Sequence, residues 1–370
     1  MFERRLFFHV DWLLLGAILV ITGIGVAMIY STTYVHLPRP ALGRPGPQFY
    51  TQLYAIGLGM IALVVCLAID YRKLAESSLV LYGGLTALLV YVLFQGSTQY
   101  NATRWIDVGP FNLQPSEFGR VTVALMLAMF FGENRRGARN SGNLAMAAAF
   151  AAVPFLLIAR QPDLGTAVTL IPVCFGIAYL AGLRMKLIAV LALAAVLMAP
   201  VAWSFALKDY QKTRITTFIN PELDPQGDGY QQRQARITVG SGGLTGKGFM
   251  EGTQGQYKFL PVAHNDFIFS VLAEEKGFLG VLVALGLYLF VILRSVEAAR
   301  LAKDRIGAYL VGGIISGFAF QVIYNITMSA GLAPVKGLTL PLMSYGGSSM
   351  IATLAGFGLI LNVRMRRFTN

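Results

Sequence analysis

The chain has 370 residues, 55% of them hydrophobic and only 13% charged, with a formal net charge of +12 and a mean hydropathy of +0.61. That balance excludes a soluble single-core domain and describes a polytopic membrane protein. The positive charge does not point to nucleic acid, because the Lys and Arg residues cluster in short stretches between apolar runs, where membrane topology accounts for them. No internal repeat or hydrophilic tail separates a second domain, so residues 1–370 read as one transmembrane domain. Cys66 and Cys174 both lie inside apolar runs, which argues against a structural disulfide.

The first apolar segment, from about Asp11 to Tyr30, is about 30 Å long as a helix and crosses a bilayer. It is longer than a signal-peptide core and no small-residue cleavage site follows, so it reads as a retained helix. A linker with Pro38, Pro40, Pro45 and Pro47 is expected to be non-helical. Further spans are expected near residues 51–69, 77–95, 116–132, 143–159, 164–182, 186–207, 266–293, 306–330 and 342–363. The fold class is therefore all-α, with about ten spans.

Between the third and fourth spans lies NATRWIDVGPFNLQPSEFGR. Pro115 and Ser116 read as a helix start with Ser116 as N-cap. Glu117 then falls in the first turn with Arg120 at i+3, which by itself describes a capped helix with a local ion pair. Trp105 suits an interfacial anchor as well as a sugar platform. The next outer connection, ARQPDLGT, places Arg160 and Asp163 in a turn too short to leave the interface. Ionisable groups held there either pair with each other or serve function, and the two readings weigh equally.

Residues 208–265 form a long loop between the seventh and eighth spans. Its QQRQARITVGSGG stretch separates charge from apolar residues as a short helix on the membrane surface would. Gly240, Gly242, Gly243, Gly246 and Gly248 allow tight turns or close approach of a ligand. The run lacks P-loop spacing, and no GxxxxGK[ST], HExxH or CxxC occurs, so ATP-driven transport and zinc hydrolysis have no support. This polar insert ends in Asp266, delivered to the mouth of an apolar helix. Either Asp266 or Asn265 would serve as an N-cap there. Glu274, Glu275 and Lys276 follow about two turns later, and burying them is costly enough to favour a polar cavity. His264 reads as structural, with no second ligand or nucleophile beside it.

The ninth-to-tenth connection runs from Asn325 to Ser349, where Pro334, Gly337 and Pro341 break the helix and SYGGSS resumes it with small residues. Non-helical backbone at this depth must be buried in protein or line a wet cavity. Alone, it suits a transporter as well as an enzyme. Counting Lys and Arg on alternate sides gathers Arg4, Arg5, Arg72, Lys73, Arg135, Arg136, Arg139, Arg184, Lys186, Arg294, Arg300, Lys303, Arg305, Arg364, Arg366 and Arg367 on one side. The short loops opposite carry only Arg39, Arg44, Arg104, Arg160 and Lys336. Both termini are therefore expected in the cytoplasm, with the polar segments on the outer face.

The Asn325–Ser349 stretch, with Asn325, Gly331, Pro334, Gly337 and SYGGSS, resembles the signature of the SEDS family of shape, elongation, division and sporulation proteins. RWIDVG, LQPSE, QPDLGT, GSGGLTGKG and HNDFIF extend the resemblance over almost the whole chain, and GTQ, FLP and HNDFIF are closer to the elongation branch than to the division branch. The resemblance implies a bacterial cytoplasmic-membrane peptidoglycan glycosyltransferase that polymerises lipid II. It implies that Asp266 is the essential aspartate, acting as general base on the acceptor GlcNAc 4-hydroxyl. Arg104, Arg120, Arg160 and Lys258 are then candidates for the leaving diphosphate. Arg120 departs from a Lys expected in many relatives, replacing a point charge by a planar fork. Glu117 and Asp163 would pair with these cations or, with Asp266, supply oxygens to a divalent cation, Mg or Mn. Ion pairing is the favoured role.

No SxxK or KTG transpeptidase motif is present. The resemblance accordingly implies a class B penicillin-binding protein as partner, together with other membrane proteins of the elongation complex. The rival readings are a lipid II flippase, which broken helices and intramembrane charge would also suit, and a non-catalytic scaffold.

Overall fold

The computed structural model describes residues 9–34, 44–99, 102–108, 111–134, 137–205, 209–257 and 259–368. Lys258, Pro38 and Pro40 lie outside this set. The first helices are α1 (Trp12–Thr33), α2 (Pro47–Ala68), the short α3 (Tyr71–Glu76) and α4 (Ser78–Gln95). Three strands follow, β1 (Ser97–Gln99), β2 (Ala102–Val108) and β3 (Phe111–Leu113), and then α5 (Gly119–Glu133), α6 (Ser141–Arg160), α7 (Leu164–Leu180) and α8 (Met185–Phe205). The long loop contains α9 (Asp209–Ile219), α10 (Asp228–Ser241) and α11 (Thr253–Gln256), and the chain closes with α12 (Ile268–Arg300), α13 (Arg305–Ser329) and α14 (Gly347–Met365).

Seven helices, α1, α2, α4, α6, α12, α13 and α14, are long and apolar enough to cross a membrane. The remaining expected spans fall on α5, α7 and α8. Burial sorts them: 94% of the apolar window of α14 and 61% of that of α13 is buried, against 28% for α2, so α13 and α14 are the inner helices. Close packing follows from small residues at the contacts. Gly59 of α2 meets Leu354 of α14, and a Cβ on Gly358 would stand 2.5 Å from the Leu63 carbonyl oxygen. By contrast α8 leaves Val190, Leu193, Val196 and Leu197 exposed, an outer face suited to lipid.

Three expectations change. Pro47 is not in the linker but opens α2, since the first helical turn asks no hydrogen bond of its nitrogen. The helical fold also carries strands: β1, β2 and β3 form a small antiparallel meander, with Ser97 opposite Trp105 and Ile106 opposite Leu113. The third concerns α10, which does not simply lie on the bilayer. Gln232, Ala235 and Thr238, spaced by three, form a buried face, and the helix packs against α12 and α13.

One end of the bundle is tied by ion pairs. Asp11, the N-cap of α1, meets Arg294 at 3.1 Å and Arg364 at 2.9 Å, and Arg364 reaches Glu297 at 3.2 Å. Nearby, Arg72 pairs with Asp304 at 2.6 Å and Arg366 with Asp70 at 3.3 Å.

The glycine-rich run has a structural role at α12. That helix breaks at Gly277 (φ +63°, ψ −165°), and the run docks on the break. Lys247 and Gly248 donate their backbone N–H groups to the carbonyls of Glu274 and Glu275 at 2.9 and 3.1 Å, while Phe278 and Leu279 donate back to Gly243 and Leu244 at 2.9 and 3.1 Å. A Cβ on Gly242 would run into the Ala273 carbonyl, and one on Gly246 into that of Glu275. The glycines thus let backbone splice to backbone.

Nor do the acids of this helix line a polar cavity. Glu274 is fully buried, with its Oε1 accepting from Lys247 Nζ at 2.6 Å, Thr253 Oγ1 at 3.1 Å and the Gln254 N–H at 3.2 Å. Glu275 accepts from the Ser31 hydroxyl, and Lys276 turns outward over the Phe249 ring at 5.1 Å. Removing one member of such a pair strands a buried charge, so Lys247→Met is expected to destabilise the protein by roughly 3–5 kcal/mol. Thermal unfolding of the detergent-purified variant measures this, and an unchanged midpoint would show that the pair does not hold the splice.

Candidate functional site

The opposite end of the bundle collects most of the charged residues singled out in the sequence. Two arginine–carboxylate pairs form its floor. Glu117, in a 3₁₀ turn over Pro115–Phe118, accepts from Arg120 Nη2 at 2.8 Å, one turn on in α5. Asp163 caps α7 by accepting from the Thr166 N–H at 3.2 Å, and Arg104 of β2 approaches it at 3.5 Å. The β meander therefore delivers Arg104 over the start of α7, with its guanidinium 4.3 Å from the Trp105 ring. Burial lifts the Glu117 carboxyl above the usual carboxylate range, with Arg120 opposing the shift and Asp163 adding to it.

Local expectations here are partly replaced. Ser116 does not cap α5: its hydroxyl accepts from Gln114 Nε2 at 3.1 Å and lies 3.4 Å from Asp163. The turn-closing pair of Arg160 with Asp163 does not form, because Asp163 takes Arg104 as its cation and Arg160 stands exposed at the end of α6. Lys258 lies outside the described residues.

Asp266 sits in the turn before α12. The N-cap position of that helix is Phe267, without a side-chain cap, so neither Asp266 nor Asn265 serves as one. Among the described residues the Asp266 carboxylate takes no hydrogen bond and no ion pair within bonding distance. Its main chain is held instead: the carbonyl accepts from Asn325 Nδ2 at 2.9 Å, and the N–H donates to the Val262 carbonyl at 3.3 Å. Burial lifts the carboxyl to about 6, with Arg104 and then Arg214 pulling it back. An acid near that value keeps a large ionised fraction at neutral pH and remains basic enough to accept a proton.

The wall facing Asp266 is the irregular segment 331–346. A Cβ on Gly337 would stand 3.7 Å from Asp266 Oδ2. Lys336, half-buried, is held below the usual lysine range first by burial and then by Arg214. The His264 carbonyl accepts from the Tyr345 N–H at 2.9 Å and its ring meets Tyr345 at 5.5 Å.

The structure thus brings together Arg104, Glu117, Arg120, Asp163 and Asp266. Sequence reasoning did not single out Gln114, Arg214, Gln321, Asn325 and Lys336 as site members. Gln321 had a usable signal, being polar within an apolar helix. Arg214 had none, because its approach to Asp266 is set by how the long loop folds.

As donors for a divalent cation the three carboxylates fit poorly. Glu117 and Asp163 each face an arginine, and no group of three His, Cys, Asp or Glu side chains gathers among the described residues. The electrostatic coupling is open to test. Because Arg104 lowers the Asp266 value, Arg104→Met should move the Asp266 carboxyl midpoint above about 6, as read by difference infrared titration. An unmoved midpoint would show that the two do not interact.

Comparison with known proteins agrees with this architecture. The profile of the FtsW, RodA and SpoVE cell cycle proteins matches residues 11–368. The peptidoglycan glycosyltransferase MrdB of Escherichia coli K12 is 39% identical over 314 residues, covering 84% of each chain. Among solved structures, a chain of a peptidoglycan synthase complex that coordinates polymerization and crosslinking is 32% identical, with a TM-score of 0.81 over 98% of this chain and 99% of that one. The rod shape determining protein RodA of Thermus thermophilus is 30% identical, with a TM-score of 0.70 over 98% of both chains. With its sequence matched almost end to end and its helices superposable on those of RodA, the chain belongs to the FtsW, RodA and SpoVE family, the SEDS proteins.

Proposed function

We propose that this protein is an inverting peptidoglycan glycosyltransferase that polymerises lipid II into β-1,4 glycan during cell elongation, with Asp266 as general base. The observation that carries the reading is Asp266 itself: a carboxylate that caps no helix, is raised to about 6 by burial and stands among cations. In this reading Asp266 takes the proton from the GlcNAc 4-hydroxyl of the acceptor as that oxygen attacks C1 of the donor MurNAc. The C1–oxygen bond to undecaprenyl diphosphate breaks, the anomeric centre inverts, and the diphosphate leaves with the bonding pair. Arg104 and Arg120 are the cations placed to stabilise it. Arg160 and Lys258 remain assigned to the diphosphate on sequence grounds, and Glu117 and Asp163 orient the two inner arginines.

Residues 1–370 act as one domain, supported by the family match over 11–368. We read α5, α7 and α8 as spans beside the seven candidate spans, giving ten, with residues 208–265 as the outer loop between the seventh and eighth. The Asp266 end then faces outward from the cytoplasmic membrane, and the end bearing Arg72, Arg294, Arg364 and Arg366 faces the cytoplasm, as the bias of Lys and Arg requires. The relative in a peptidoglycan synthase complex supports a class B penicillin-binding protein as partner, which would supply the crosslinking this chain lacks motifs for. Against a flippase, Glu274 and Glu275 are buried against Lys247 of the glycine-rich run and Ser31 of α1 instead of lining a path.

Polymerisation of purified lipid II tests the base. Removing a general base costs about 10²–10⁴-fold, so Asp266→Ala and Asp266→Asn are expected to lose at least about 10²-fold in rate. Because the base works ionised, the wild-type rate should rise with pH through about 6 and fall below it. Full activity in Asp266→Asn, or a flat profile across that range, would remove the assignment. Asp163→Asn frees Arg104 and is expected to weaken polymerisation, whereas wild-type rates at every Mg and Mn concentration would exclude both its pairing and its cation roles.

A further inference from the structure

On the inner helix α13, Gln321 and Asn325 stand four residues apart, so they share one face. Their side chains are 1% and 0% exposed. Gln321 accepts from Arg120 Nη1 through its Oε1 and donates from its Nε2 to the Thr339 carbonyl at 2.9 Å. Asn325 donates from its Nδ2 to the Leu338 carbonyl at 2.7 Å and to the Asp266 carbonyl at 2.9 Å.

The two amides therefore grip consecutive carbonyls of the irregular segment, and each also grips one member of the site. Both Asn325 contacts require a donor, which fixes the amide orientation. Its Oδ1 is buried without a partner among the described residues, a burden expected to persist only where the two donated bonds are needed.

We infer that Gln321 and Asn325 are positioning residues, an amide ladder that holds the diphosphate cation Arg120 and the base Asp266 in register through one rigid helix. The inference rests on the reading of Asp266 as base. The ladder acts through backbone and guanidinium geometry and touches no substrate. Asn325 fixes the Asp266 main chain and, through Leu338, the adjacent Gly337 that flanks its carboxylate. Gln321 fixes the planar fork of Arg120, which Glu117 holds from the other side. Near-attack geometry is steep in distance: a displacement of about 1 Å costs on the order of 10²-fold in rate.

The test uses full-length protein in detergent with lipid II, measuring kcat, KM, the pH profile and the thermal midpoint together. Asn325→Ala is expected to lower kcat by about 10- to 100-fold with KM little changed. Asn325→Asp, which keeps the shape but sets a carboxylate against two carbonyls and beside Asp266, should also raise the midpoint of the pH profile. Gln321→Ala should likewise lower kcat, because Arg120 acts on the charge that develops on the leaving diphosphate, and Gln321→Glu, which keeps an acceptor for Arg120, should restore it in part. A merely structural role would lower the thermal midpoint and the active fraction while leaving the pH midpoint and the kcat-to-KM split of the folded fraction unmoved, and that result overturns the ladder. Asp266→Ala runs in parallel. If it polymerises fully, the base reading falls and the ladder with it; if it is inactive while Asn325→Asp keeps the wild-type kcat and pH profile, the ladder alone falls.

Discussion

An irregular backbone buried among apolar helices must find every hydrogen bond inside the protein, and segment 331–346 is where this chain meets that demand. Its carbonyls at Pro334, Leu338, Thr339, Pro341 and Ser344 accept from Tyr324, Asn325, Gln321, Tyr288 and Gln52. The N–H groups of Leu340, Tyr345 and Gly346 donate to Ser344 Oγ, the His264 carbonyl and Gln52 Oε1. Donors and acceptors from α2, α12, α13 and the turn before α12 thus converge on one short stretch. The buried side chains of Gln52, Gln321 and Asn325 in otherwise apolar helices are explained by this demand. Leu342 at φ +67° is held in the left-handed region by the same surroundings.

Meeting that demand also shapes the site. The helices that satisfy the segment carry or adjoin the ionisable groups, so backbone satisfaction and side-chain placement become one problem. Carboxylates around this site and α12 accordingly differ in kind. Glu274 is sealed by a lysine and several donors, and Glu117 and Asp163 are matched to arginines, so their charge is spent locally. Asp266 is held by its main chain and leaves its carboxylate uncommitted. A group kept in place without being neutralised is suited to proton transfer.

The two ends of the bundle differ in the same terms. At one, Asp11, Arg294, Glu297 and Arg364 interlock the ends of α1, α12 and α14. At the other, the glycine-rich run stitches the long loop to the break in α12, and the β meander brings Arg104 over α7. Closed networks brace one end, and the other gathers arginines around Asp266, whose carboxylate takes no ion pair among the described residues.

Much of this was legible in the chain itself. Hydrophobic runs long enough for a bilayer, Pro and Gly at 334, 337 and 341, and acids next to short turns are local signals, and local signals follow from backbone and solvation rules that act within a few residues. They marked the apolar segments, the break before α14, the Glu117–Arg120 pair at i+3, and Asp266 at the mouth of its helix. What they could not determine was partnership. Asp163 is three residues from Arg160 yet pairs with Arg104, because the meander brings β2 across the helix start. The glycines, which the sequence left open between tight turns and close approach of a ligand, close onto Glu274 and Glu275, and Gln321 and Asn325 acquire roles only when segment 331–346 folds against them. Pairings between residues far apart in sequence depend on which elements pack together, and only the tertiary structure decides that.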